Sequence, residues 1–173
     1  IDLDRRNVET PELDPRIRDY FIGGRGLGLY LLHRRLTPRT TPDAPENPLI
    51  FAPGPLGGIP QFPGTSKRMA ISLSPLTGIP GVSNFGGYFG AYLKYAGFDA
   101  LEIVGKASAG VMIVIDGFRQ EIFLTDAPAV DEVFTAEEAI VDRFVRAGHE
   151  RKNLVFLTTG VGAAHTRYGC INS

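Results

Sequence analysis

VSNFGGYFGAYLKYAGFDA, Val82 to Ala100, is the stretch on which the reading of the chain turns. Two adjacent glycines, and a third three residues on, stand at the mouth of a segment in which Lys94 is the one charged residue between Phe85 and Ala96. Glycine lowers helix stability by about 1 kcal/mol relative to alanine, so its use here needs a reason. Three are open: close backbone packing, a special turn, or a bound group that needs bare backbone N–H. Ser83 or Asn84 is the expected N-cap of a helix buried on most faces. Gly86 and Gly87 then leave its first N–H groups uncovered, where the helix dipole favours an anion.

Outward from this stretch the chain alternates short strands and helices. Gly97 is the expected helix C-cap, and ALEIVG, Ala100 to Gly105, reads as a strand. Upstream, SKRMAISLS, Ser66 to Ser74, places Lys67, Met69, Ile71 and Leu73 on one face and Arg68, Ala70 and Ser72 on the other, as a strand requires. NPLIFAP, Asn47 to Pro53, is a buried strand between prolines. Asp14-Pro15 starts a short helix running to about Ile22; GGRGLG, Gly23 to Gly28, interrupts it, and helix resumes from Leu27 to Leu36. Downstream, Asp116-Gly117 between two β-branched runs signals a hairpin over Val111 to Leu124. Thr135 and Glu138 read as a capping box for a helix with Ile140, Val141, Phe144 and Val145 on its apolar stripe, ended by Gly148. LVFLTTG, Leu154 to Gly160, reads as another buried strand. Strands and helices without strict βαβ alternation favour α+β with mainly antiparallel or mixed sheets.

The composition sets outer bounds. With 173 residues, 43% of them hydrophobic, the chain is long enough for one domain, 1–173, with its own core. Its 18 basic and 19 acidic residues give a net charge of −1, so no global field draws it to nucleic acid or an anionic membrane. No run reaches the roughly 18 apolar residues of a membrane span. A lone cysteine, Cys170, excludes an internal disulfide and cannot alone hold zinc or an iron-sulfur cluster; core packing is its expected role, and a reducing, cytoplasmic setting follows. The opening on Ile1 and the stop at CINS suggest a fragment of a longer chain.

Several chemistries fail on spacing. Neither FGGYFG nor GGRGLG has the GxGxxG spacing of a dinucleotide site, and Gly105-Lys106 has Ala100 where a P-loop needs its first glycine. His33, His149 and His165 have no partners at metal-ligand spacing and are expected on the surface or in loops. No Ser-His-Asp, Cys-His or HExxH array occurs. The Lys67-Arg68 pair follows a glycine-rich loop; Lys67 either snorkels out at the strand end or meets an anion.

IGGRGLGLYLL, NPLIFAPGPLGG, SPLTG and SNFGGYFGAYLKYAGFDALEIVGKA, in that order, resemble the N-terminal domain of the aldehyde ferredoxin oxidoreductase family of tungsten enzymes. The resemblance runs on to TTGVGAAHTRYGCINS, where AAHTRYGCINS departs from the commoner family wording. It implies two β-sheets with flanking helices that form a base for a tungsten bis-pterin cofactor, molybdenum replacing tungsten less often, with Mg2+ bridging the pterin phosphates. Asn84 answers to the asparagine whose backbone carbonyl meets that Mg2+, and Gly86, beside Gly87, to the glycine that approaches a pterin phosphate. Counting back from Ser74, Lys67 takes the place of a family arginine that contacts the phosphates or the metal's waters. Arg68 is one position on and, facing the opposite way, would need a bulge to replace it.

The family's [4Fe-4S] cysteines, its further pterin-binding motifs and its substrate channel have no counterpart in these residues, so the domain alone is expected to be inactive. The resemblance implies a parent enzyme that oxidises aldehydes to carboxylic acids and passes electrons to ferredoxin or another iron-sulfur protein, as a homo- or hetero-oligomer. Two alternatives stand beside it: a benzoyl-CoA reductase-type subunit with the same cofactor, and a non-catalytic docking module.

Overall fold

The computed structural model describes residues 1–62, 64–65, 67–129, 132–166 and 171–172. Two helices open the chain, α1 (Pro15–Phe21) and α2 (Gly24–Arg35), followed by β1 (Leu49–Pro53), β2 (Arg68–Leu73) and β3 (Pro80–Phe85). Next come α3 (Phe89–Tyr95), β4 (Leu101–Ile103), the hairpin β5 (Val111–Asp116) and β6 (Glu121–Asp126), and α4 (Val133–Arg146). A 3-10 turn at Arg151–Asn153, β7 (Thr158–Thr159), α5 (Gly162–His165) and β8 (Ile171–Asn172) complete the described chain. The strands form an antiparallel sheet in the order β3-β2-β1-β4, with β5-β6 and β7-β8 as separate antiparallel pairs. The α+β expectation holds.

The main sheet is covered on both faces because its strands alternate. Ile50, Ala52 and Ile71 face α2 and pack on Leu32, with Met69 and Val82 at the margin. Phe51 and Leu101 face the other way, onto Leu93 of α3, with Phe85, Phe89, Ile115 and Leu157 around them. Each fully buried aliphatic or aromatic side chain of this kind contributes about 1.5–3 kcal/mol. Pro53 in β1 and Pro80 in β3 fit because neither ring stands where the ladder between β1, β2 and β3 needs an N–H.

The interruption expected over GGRGLG is confined to its start, at Ile22 and Gly23 between α1 and α2; Gly24, Gly26 and Gly28 lie inside α2. A Cβ on Gly28 would collide with Ile71 Cδ1, so α2 seats on β2 only because that side chain is missing. Local propensity is overridden here by the closeness of the helix to the sheet.

Four other expectations need correction. The helix of the opening stretch starts at Phe89, not after Ser83 or Asn84, because both of these pair in β3 opposite Ala70 and Met69. Tyr88 is its N-cap and makes no side-chain capping bond. Glu132, not Thr135, caps α4, its carboxylate accepting from the Thr135 amide at 2.7 Å. The hairpin loop has four residues rather than a tight turn at Asp116-Gly117: Asp116 pairs with Glu121, and Asp116 Oδ1 accepts from the amides of Phe118 and Arg119. Of LVFLTTG only Thr158–Thr159 is strand. By contrast Gly97 (φ +89°) and Gly148 (φ +95°) close α3 and α4 as expected, each followed by an amide bonded back to the helix, Phe98 to the Leu93 carbonyl and His149 to that of Phe144. The Cys170 expectation lies outside the described residues.

Gly28→Ala should destabilise the protein by about 1–3 kcal/mol, the range for overpacking a tight interface. Denaturant unfolding in an Ile71→Val background, which removes Cδ1, should show less than half of that cost.

Candidate functional site

The link Gly86–Tyr88 joins the edge strand β3 to α3 and passes the end of β2, where Arg68 begins the strand. Arg68 lies between Pro53 of β1 and Phe85 of β3, both directly opposite it, so all three side chains leave the sheet on the α3 face. Its residue is 0% exposed, alone among the charged residues described. The guanidinium carbon sits 4.1 Å from the centre of the Phe85 ring and 5.4 Å from that of Phe89. Nη1 donates to the Gly87 carbonyl at 3.0 Å. Nε and Nη2 are buried and have no hydrogen-bond partner among the described residues.

Those two unpartnered donors share one edge of the planar guanidinium, the edge that offers two parallel N–H groups to a carboxylate or phosphate. Burial pushes the Arg68 pKa down from its ordinary value to about 10, so the group stays cationic at neutral pH. A buried, charged fork with nothing on it costs free energy, and native proteins rarely leave such donors empty. The aromatic faces of Phe85 and Phe89 offset part of the cost through their quadrupoles.

Around this cation the other residues singled out in the sequence fall in three ways. Lys67 is exposed, outside β2. The register of β2 with β3 runs unbroken from Arg68 to Leu73, so no bulge exists; Arg68 meets the glycine link because that link crosses on the Phe85 face. Gly86 and Gly87 are exposed, and a Cβ on Gly86 would meet nothing within 4 Å. Gly87 takes φ +81°, a conformation that favours glycine. Among the described residues no acceptor takes the amides of Gly86, Gly87 or Tyr88. With only seven residues in α3, starting two positions later, the helix dipole contributes little here.

Asn84 is exposed on β3, which is the edge of the sheet. The ladder begins with the Ser74 amide donating to the Ile79 carbonyl at 2.9 Å, and antiparallel alternation from that pair directs the N–H and C=O of Arg68, Ala70 and Ser72 toward β3. The Leu73 amide, pointing the other way, donates to Asn47 Oδ1 at 3.0 Å, as this alternation demands. Asn84, opposite Met69, therefore turns its carbonyl to the open edge. Sequence reasoning had no such argument for it.

What the sequence missed is the burial of Arg68. A signal was present: Arg68 shares its face with the small residues Ala70 and Ser72, and Phe85 and Phe89 stand four apart across the glycines. The histidines do not contribute. His33 and His165 are exposed, and His149 is half-buried with its ring 5.7 Å from Phe144. Among the described residues no group of three His, Cys, Asp or Glu could hold a metal ion, and no helix is long and apolar enough to cross a membrane.

The profile of the family described as "Aldehyde ferredoxin oxidoreductase, N-terminal domain" matches residues 1–173. The chain is 40% identical over 122 residues to the tungsten-containing aldehyde ferredoxin oxidoreductase of Pyrococcus furiosus and 47% identical over 122 residues to that of Pyrococcus abyssi. Each match covers 70% of this chain and 20% of the relative, so the chain spans about a fifth of the relatives' length. An aliphatic sulfonate oxidoreductase, WOR-like subunit, of Pyrococcus furiosus is 37% identical over 126 residues, with the same coverage of 70% and 20%. Among solved structures, the active-site complex BamBC of benzoyl coenzyme A reductase with 1,5-dienoyl-CoA superposes with a TM-score of 0.78 at 31% identity, over 84% of this chain and 22% of that one.

Arg68→Met in the intact, ligand-free protein should unfold within about 1 kcal/mol of wild type, or later, because it removes a buried charge along with one hydrogen bond. A loss above about 3 kcal/mol would make Arg68 a structural support instead. As pH rises above about 10, wild type should gain stability relative to the variant, since the unfolded chain then holds a proton that the folded one has released; below about 10 the difference should be flat.

Proposed function

The chain belongs to the aldehyde ferredoxin oxidoreductase family, matching its N-terminal domain, and on that premise we propose that it anchors the phosphates of a tungsten bis-pterin cofactor within a longer oxidoreductase. The observation that carries this reading is the vacant Nε–Nη2 edge of Arg68. A terminal or bridging phosphate presents two oxygens to such a fork, and each charge-assisted bond is worth about 1.5–3 kcal/mol. Gly87, whose carbonyl takes the Nη1 bond, is exposed together with Gly86, a Cβ on Gly86 would meet nothing within 4 Å, and no acceptor among the described residues takes their amides, so backbone donors near this cation can take further oxygens. Lys67, exposed at the start of β2, adds positive charge to the approach.

Asn84 fits the remaining part. Mg2+ keeps several waters and binds through phosphates plus one or two protein groups, so it needs no carboxylate cage. A carbonyl on the open sheet edge, beside a phosphate held at the glycine link, is a suitable ligand. The Arg68 edge has no exposure in this structure, so the atoms that cover it have to move aside before an anion can reach it.

When bound, the cofactor supplies the two-electron chemistry, aldehyde oxidation to a carboxylic acid with electrons leaving through an iron-sulfur cluster to ferredoxin. The 173 residues contribute orientation and electrostatics, and as one domain of that enzyme they are inactive alone. The likeness to a benzoyl coenzyme A reductase complex favours a second reading, in which the same anchor serves reduction of an aromatic thioester. The two differ in residues beyond this domain.

Metal and pterin analysis of the intact protein tests the proposal, together with aldehyde-dependent dye reduction. Tungsten or molybdenum should copurify with pterin, and Arg68→Gln should retain at least about tenfold less of both after desalting. A wild-type protein without either metal, or full retention by the variant, overturns it.

A further inference from the structure

We infer that Phe85 is a positioning residue for anion recognition: it holds the Arg68 guanidinium so that the buried Nε–Nη2 edge meets a phosphate as a fixed fork once the atoms that cover it move aside. The inference rests on the phosphate-anchoring reading of the same site. A fork is worth its two bonds only if its plane and its rotation are both set before the ligand arrives, and an arginine side chain is long and rotamer-rich. Three restraints supply this. Strand pairing puts Phe85 directly opposite Arg68, so the two side chains leave the sheet together. The Phe85 ring, 4.1 Å from the guanidinium carbon, covers one face of the cation. The Nη1 bond to the Gly87 carbonyl, at 3.0 Å, then fixes rotation within the plane.

Phe85 is itself braced. Its ring meets that of Phe51 edge-on, with centroids 5.8 Å apart and an interplanar angle of 72°, and Phe51 is buried in the sheet. Phe89 also braces Phe51 but stands farther from the guanidinium, at 5.4 Å. Phe85 is therefore the nearer ring and the one pinned in the ladder with Arg68. An aliphatic side chain of similar bulk would fill the space without attracting a cation to its face.

The experiment measures inorganic pyrophosphate binding to the intact, cofactor-free protein by calorimetry, with a melting curve for every variant. Phe85→Tyr should bind within about twofold of wild type, and Phe85→Leu about 3- to 30-fold more weakly. In an Arg68→Gln background the two Phe85 variants should bind alike, since no cation remains to be placed. Equal binding by Phe85→Leu and wild type, or the same loss in both backgrounds, leaves Phe85 a packing residue and overturns the inference. If Phe85→Leu shows no melting transition, Phe85→Met gives the same comparison. Absence of pyrophosphate binding by wild type overturns the anchoring reading as well, and is told apart from the first outcome because there wild type binds.

Discussion

A positive charge with no access to water sets the terms for this end of the sheet. Arg68 has one hydrogen bond, two aromatic neighbours and two empty donors. Placing it there requires β3 to stay paired as far as Phe85, so that the ring stands opposite the cation. It also requires the chain to cross the end of β2 at Gly87, so that a carbonyl reaches Nη1. Both demands delay the start of α3 to Phe89, and the helix that follows is short. The charge is more costly to bury than any neutral side chain of its size, and its vacant edge is what a bound oxyanion would satisfy.

The glycines of the chain answer two separate physical needs. At Gly28 the missing side chain lets α2 lie against Ile71, and the space is already filled by protein. At Gly86 the space is open and the amides are free, while Gly87 adopts a backbone conformation that favours glycine. A close-packed glycine and one in open space leave the same letter in a sequence and opposite surroundings in a fold.

The chain belongs to a family of tungsten oxidoreductases and spans about a fifth of its relatives' length. Relatives that act on aldehydes, on sulfonates and on a coenzyme A thioester share this domain type at 31–47% identity. The phosphate anchor proposed above would suit that breadth, because it would grip a part of the cofactor remote from the reacting atoms and be indifferent to the substrate.

From the sequence alone three strands of the main sheet, β1, β2 and β4, their alternation, the hairpin, the two glycine C-caps and the family were legible, because each depends on neighbours a few residues apart or on ordered motifs; β3 was not, its residues having been read as a turn and a helix cap. The caps of α3 and α4 were misread because Ser83, Asn84 and Thr135 carry good local signals that strand pairing and Glu132 overrode. The Lys67-Arg68 pair was visible, but Lys67 lies outside β2, so strand alternation does not set its face. Which of them is buried was decided by tertiary structure: Pro53, Phe51, Phe85 and Phe89 converge from β1, β3 and α3 on one face at the end of β2, and that convergence takes Arg68 out of water while Lys67 stays in it. Burial and an empty guanidinium edge are properties of several strands and a helix together, so no spacing along the chain could carry them.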